Sequence, residues 1–376
     1  MKKSLSIIFI FSFLVLEFTA LFAQGVLIKN TTTRNYVDKI VELSWKELVR
    51  NYSISDSSQF IFVNQFGLEI PIQFEYFENG SINKVLALVS IPSKKFIRLK
   101  IINGRRKTYA PLVFARYVPE RKDDFAWENN KVAFRMYGKS LQSTNENAHG
   151  IDVWAKRTRN LIIDSWYKNG DYHTDHGEGL DFYSVGTTLG AGNIAPYIAD
   201  TVFYPGNYSH WKILEHGPLR LRFKLTYDSF SYKGVAVMLE KEIQLSAGDQ
   251  FNKVTVSLNA SDPVKVPMAV GIVRRKEGGY FNFDKHHNIA TYWEPASIVN
   301  GSIGVGVIFS DNVDLKTTQS QQLFICSMHS LQQLVYYTGA TWDKQGDFTT
   351  ATTWKRVTRN FAKETRGKTS IKIRYQ

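Results

Sequence analysis

Residues 171–183 read DYHTDHGEGLDFY, two histidines and four carboxylates within thirteen residues. These side chains open three kinds of chemistry. Imidazoles with carboxylates bind divalent ions. They also move protons at neutral pH, the imidazole carrying the proton and the carboxylate orienting the ring. Otherwise they make a solvated polar loop. Gly170, Gly177 and Gly179 mark the segment as a loop rather than a helix, so no fixed spacing can be read, and the pattern matches none of the zinc motifs with a known mechanism. A loop can still fold its side chains onto one point. His173 and His176 are therefore the candidates for proton transfer, with Asp175 or Glu178 to orient them. Asp175, Glu178 and Asp181 could instead hold a divalent metal ion.

Other residues could act with this cluster. Arg135 and Tyr137 sit at i and i+2 in a strand expected over 132–137 and so share one face. Arg135 could grip a carboxylate in a bidentate way, and Tyr137 could protonate a leaving group; a cross-strand salt bridge and a core tyrosine are the equal alternative. Arg116 in the preceding strand, and Lys156, Arg157 and Arg159 after Trp154, are candidates for an anionic subsite. Trp342 and Lys344 fall in a glycine-bounded loop where the ring could stack on a sugar and the amine supply charge. Glu215 and His216 belong to a turn, Arg274, Arg275 and Lys276 to a basic loop that could steer anions, and His286 and His287 to a surface loop. Asp123 and Asp124, beside Arg121 and Lys122, read as a solvated turn.

The elements that must position these residues are short strands. Segments 60–64, 69–77, 84–91 and 96–102 are rich in β-branched and aromatic residues and are separated by Gly, Asn, Ser and Pro, the punctuation of an antiparallel sheet. Residues 24–105 thus read as a small β-sandwich, with one short helix over 44–50 capped by Ser44. From there the same pattern runs through 112–118, 132–137, 161–167, 219–230, 235–245, 253–258, 268–273, 303–309, 323–328 and 333–338. Ten or more strands in one stretch, 106–376, imply two stacked sheets. Leu219, Leu221, Phe223 and Leu225 alternate with Arg220, Arg222, Lys224 and Thr226, which puts one face in a core and a basic face outward. On a concave sheet that basic face could be a carbohydrate groove.

The chain begins with Met1, Lys2 and Lys3, an apolar run, and a small-residue site before Gln24. Residues 1–23 are expected to be a cleaved signal peptide delivering a periplasmic or secreted protein. Glu17 breaks the run before it reaches the roughly 18–20 apolar residues of a spanning helix, so no stable membrane insertion is expected. Cleavage removes two lysines and one glutamate, taking the net charge from +13 to +12. Lys and Arg are scattered singly and no nucleic-acid module is present. For an exported protein the positive field points to an anionic oligosaccharide. Cys326 is the only cysteine, so the core carries stability without an intrachain disulfide.

The segments PERKDDFAWENNKVAFRMYG (119–138), NAHGIDVWAKRTRNLIIDSWYKNGDYHTDHGEGLDFYSVG (147–186) and YYTGATWDKQGDF (336–348) resemble the signature blocks of a secreted, long-uncharacterised domain family. Its genes sit in bacterial polysaccharide-utilisation loci beside uronate-cleaving enzymes. Within it the chain is similar to the member type described as an oligosaccharide dehydratase acting on ulvan fragments. With the strand count, the resemblance implies an all-β protein: a large antiparallel supersandwich, galactose-mutarotase-like, preceded by the small β-sandwich. It also implies removal of water from the saturated uronate at the non-reducing end. In such a sugar the C5 proton lies α to the carboxylate, and taking it creates an enolate-like dianion. A cationic group must hold the carboxylate, a base must reach C5 and an acid must protonate the departing 4-hydroxyl. An endo-acting polysaccharide lyase would use the same base and clamp but shorten the chain. A non-catalytic sugar-binding protein would need neither.

Overall fold

The alternation in 219–226 settles one core. Leu221, Phe223 and Leu225 are buried along the strand Arg220–Tyr227, with Leu219 buried just before it; the strand pairs with Tyr208–His216 and Val235–Ser246. The computed structural model describes residues 25–54, 56–367 and 370–376; the expected leader, 1–23, lies outside them. Every pair of strands described is antiparallel. A nine-stranded sheet contains those three strands and, beyond Phe251–Ala260, the strands Leu334–Trp342, Ile303–Phe309 and Ile289–Trp293. Two five-stranded sheets pack on it. One has Ala191–Ile198, Lys265–Val273 and Gln321–His329 at its centre; the other runs Gly179–Asp181, Ile151–Lys156, Ala133–Met136, Asp124–Asn129, Val113–Val118. Their inner faces share one apolar core that includes Trp127, Phe134, Phe223, Val270 and Tyr336.

The N-terminal part is a separate two-sheet sandwich with its own core of Val26, Leu43, Phe60, Phe62 and Leu99. Ser44 caps the helix Trp45–Asn51, its hydroxyl accepting from the Glu47 amide. The final strand, Ile371–Tyr375, was expected in the large unit. It pairs instead with Gly25–Asn30 and adds Ile371, Ile373 and Tyr375 to the small core, so the small unit is closed by both ends of the chain. Arg220 fastens the two units, reaching Glu75 at 2.9 Å and Glu42 at 2.6 Å from inside their junction. Gln73 accepts from the Leu219 and Arg220 amides. A Cβ at Gly217 would lie 2.1 Å from the Gln73 amide carbon, so only glycine allows this approach.

Three further expectations change. Segment 161–167 is not a strand: Ile163–Asn169 is a helix that buries Ile163 and Trp166, three apart, and ends on Gly170 at φ 76°. The helix Ala351–Thr365 was not anticipated; it buries Trp354, Thr358 and Ala362 at four-residue spacing. The basic face of Arg220–Tyr227 is not an open groove, because Arg222 meets Glu215 and Glu242 and Lys224 meets Glu240.

Deleting residues 370–376 strips the closing strand and leaves Gly25–Asn30 as an exposed edge. The thermal midpoint should fall by about 5 °C or more, read by scanning calorimetry; an unchanged midpoint would mean that the C-terminal strand does not support the sandwich.

Candidate active site

Alternation along the five-stranded sheet sends Phe125, Trp127, Phe134 and Val153 into the main core. It sends Asp124, Glu128, Arg135, Asp152, Trp154, Lys156 and Asp181 to the opposite face. The register sets Arg135 opposite Asp152 and Trp154 opposite Asp181. Arg135 donates from Nε and Nη2 to Asp152 Oδ2 at 3.0 and 2.6 Å, from Nη2 to Asp181 at 2.9 Å and from Nη1 towards Asp124 at 3.5 Å. The rings of Tyr137, Trp154 and Tyr172 surround the guanidinium within 6.0 Å. The helix Ile163–Asn169 roofs this layer, with Trp166 stacked on Trp154.

Three buried carboxylates surround the buried Arg135, while half-buried Arg121, which also meets Glu146, lies at the margin. Burial pushes the Asp124 carboxyl up to about 7. Burial and then the Asp152 charge push Asp181 well up, and the same two causes raise the Tyr137 phenol. For Arg135 burial works downward, but Asp152, Tyr137 and the other carboxylates outweigh it and hold the guanidinium firmly charged.

At the Asp181 edge of the sheet the network meets solvent. His173, with its side chain 64% exposed, places Nδ1 2.9 Å from the Asp181 main-chain oxygen and 3.8 Å from its carboxylate. A carbonyl only accepts, so Nδ1 carries the hydrogen and neutral His173 presents Nε2 as a lone pair. His176 differs: its Nε2 meets Asp171 at 3.1 Å, and both are exposed. Beside His173's loop, Arg157 pairs with Asp175, donates to Gly177 O at 3.1 Å and lies 5.3 Å over the Trp342 ring, while the Lys344 amine lies 5.9 Å from that ring. Burial acts against ionised Asp175, but Arg157 and the Gly177 and Gly179 amides outweigh it and lower its pKa.

The structure thus brings together His173, Asp181, Arg135 and Tyr137 on one side, and Arg157, Asp175, Trp342 and Lys344 on the other, joined by Phe182 packed on Trp342. Several roles expected from sequence do not fit their places. Arg135 is 4% exposed and committed to internal carboxylates, so it cannot clamp a ligand carboxylate. Lys156 is buried on Glu128 at 2.6 Å and Asn129 O at 2.7 Å. Tyr137 is buried and donates to Asp152 at 3.1 Å. Trp342 ends a strand, is 2% exposed and donates Nε1 to Asn300 O, so it carries Arg157 and Lys344 rather than a sugar ring. Arg116 sits on the far edge strand with Glu120 and Asp164. Asp175 faces Arg157, Glu178 faces Asn160 and Asp181 faces Arg135; among the described residues no three His, Cys, Asp or Glu side chains gather as a metal set. Glu215 pairs with Arg222, and His287 with Asp284.

Asp124, read as part of a solvated turn, is fully buried, as is Asp152, which the sequence did not single out. Their signal was the alternation in Asp124–Asn129 and Ile151–Lys156. Tyr183, Glu294 and Arg275 were missed as a unit: Arg275 lies 4.9 Å over the Tyr183 ring and pairs with Glu294 at 2.5 Å, and the Tyr183 hydroxyl is buried without a partner.

Residues 28–371 match a domain family of unknown function, DUF4861. The chain belongs to that family. It is 27% identical over 354 residues to the uncharacterized protein P7 of Formosa agariphila, covering 86% of this chain and 85% of that protein. Among solved structures it is similar to a protein in glycosyl hydrolase family 38 from Enterococcus faecalis, with TM-score 0.48 and 8% identity over 94% of this chain and 47% of that one. This chain spans about half the length of that hydrolase. A putative aldose 1-epimerase from Klebsiella pneumoniae has TM-score 0.32 and 10% identity over 86% of this chain and 95% of that one.

The Asp124 carboxyl, raised from the ordinary aspartate range to about 7, holds a proton in the folded protein that the unfolded chain has already released. Its contribution to stability is complete below about pH 4 and is lost as pH rises through about 7. Asp124→Asn should therefore raise the thermal midpoint relative to the parent more at about pH 8 than at about pH 5. A difference independent of pH, measured by scanning fluorimetry, would place the retained proton elsewhere.

Proposed function

We propose that this protein eliminates water from the non-reducing-end uronate of anionic oligosaccharides such as sulfated ulvan fragments, leaving a 4,5-unsaturated ring. The observation that carries the reading is the fixed tautomer of His173: Nδ1 tied to the Asp181 carbonyl, Nε2 free at the open edge of a buried carboxylate network. Nε2 takes the C5 proton, the C5–H electron pair moves to the enolate-like carboxylate, and the C4–O bond breaks as the double bond forms. The hydroxyl leaves with the proton carried on the His173 imidazolium, so one water departs and the histidine returns to its starting form. The positive charge that appears on His173 is favoured by the Asp181 carboxyl 3.8 Å from Nδ1. Arg157 and Lys344, both lying against the Trp342 ring, are the cations for the substrate carboxylate, which would displace Asp175 from Arg157. The basic composition and the resemblance to the dehydratase type support the same substrate class.

The test is incubation of the mature protein with saturated uronate-ended, sulfated oligosaccharides, following absorbance of the unsaturated carboxylate and product mass. Rising absorbance with loss of one water at constant chain length is the expected result; shortened products would mean an endo-acting lyase. His173→Ala should lower kcat by about 10²–10⁴-fold, whereas His176→Ala should stay within a few-fold of the parent. Equal losses at both positions would remove the assignment to His173.

A further inference from the structure

A groove of about 1010 Å³ runs between the N-terminal sandwich and the helix Ala351–Thr365. Six cationic and four carboxylate side chains line it. Ion pairs occupy all four carboxylates: Arg34 on Glu364, Lys39 on Asp249 and Glu364, Lys131 on Asp347, and Arg159 on Asp38. Arg356 and Lys363 are exposed and have no ion-pair partner among the described residues. They stand seven positions apart on one helix face, roughly 10 Å along its axis, a span that two linked sugar rings cover. The amides of Asn35 and Asn360 suit sugar hydroxyls, and the half-buried rings of Phe348 and Phe361 give apolar faces. The helix itself is fixed by Trp354 stacked flat on Phe251 at 5.2 Å.

Two chain segments of the candidate active site run on into this groove. Arg159 follows Arg157 by two residues. The segment carrying Trp342 and Lys344 continues to Gln345, which donates to Lys131 O, and to Asp347 and Phe348 in the groove wall. We propose that the groove binds the continuing chain of an anionic oligosaccharide whose terminal uronate occupies the site at His173, with Arg356 and Lys363 meeting charged groups on successive sugars. The assignment rests on the oligosaccharide reading above. Carboxylate and sulfate offer the same oxyanion to these side chains, so the test separates them.

Titration calorimetry of the mature protein would use a uronate disaccharide and tetrasaccharide whose end ring is already unsaturated, so that no elimination follows, each in sulfated and desulfated form. The parent should bind the sulfated tetrasaccharide more tightly than the disaccharide. In the variant Arg356→Gln with Lys363→Gln, that length-dependent gain should drop by about tenfold and disaccharide affinity should hold. A similar drop for the desulfated tetrasaccharide would make the contacted groups carboxylates; a drop confined to the sulfated form would make them sulfates. Unchanged tetrasaccharide affinity, or an equal loss for the disaccharide, would overturn the proposal. Loss of the length-dependent gain in a protein with no dehydratase activity would keep the groove and remove the reaction. Activity with unchanged tetrasaccharide affinity in the variant would do the reverse.

Discussion

The burial of one guanidinium with three carboxylates organises the sheet around which the candidate site forms. Moving such charges out of water costs several kcal/mol per ion unless their partners are already in place. Asp124, Arg135, Asp152 and Asp181 come from four successive strands of that sheet, so the compensation exists only when all four are in register. A slip of one residue would turn Arg135 into the apolar core and Phe134 out of it. The aromatic roof of Trp154, Trp166, Tyr167 and Tyr172 then closes the layer and keeps water from the charges. What remains open is the edge at Asp181, where the loop carrying His173 lies.

The same logic governs the rest of the charge. A net charge of +13 suggests a uniformly basic surface, but many of the cations are consumed by specific partners. Arg220, Arg222 and Lys224 face carboxylates from neighbouring strands or from the N-terminal sandwich. Lys241 lies inside the core on Asn193 and Tyr227, where burial drives its pKa far down. Arg157 is itself paired with Asp175 at the open edge, whereas Arg356 and Lys363 along the groove are exposed and meet no carboxylate among the described residues. The small sandwich earns its place in this arrangement: it forms one wall of the groove and is locked to the large unit by Arg220 and Gln73.

The amino-acid sequence by itself determined that this is a chain of antiparallel strands in a small and a large unit, because a two-residue period of apolar side chains is written locally. It also singled out residues 171–183, 135 and 342 as candidates, which strand pairing and Phe182 packed on Trp342 bring near one another. It did not separate helix from strand at 161–167, where a short apolar run suits either. It could not distinguish His173 from His176, since the Asp181 carbonyl that fixes one ring is brought there by strand pairing. It could not tell that the polar face of Asp124–Asn129 and Ile151–Lys156 is roofed by a helix. Alternation states which residues share a face; only packing at long range decides whether that face meets water, a partner charge or an aromatic ring. Arg135 and Lys156 therefore became internal counter-ions, while Arg157, one residue further, reached the open edge.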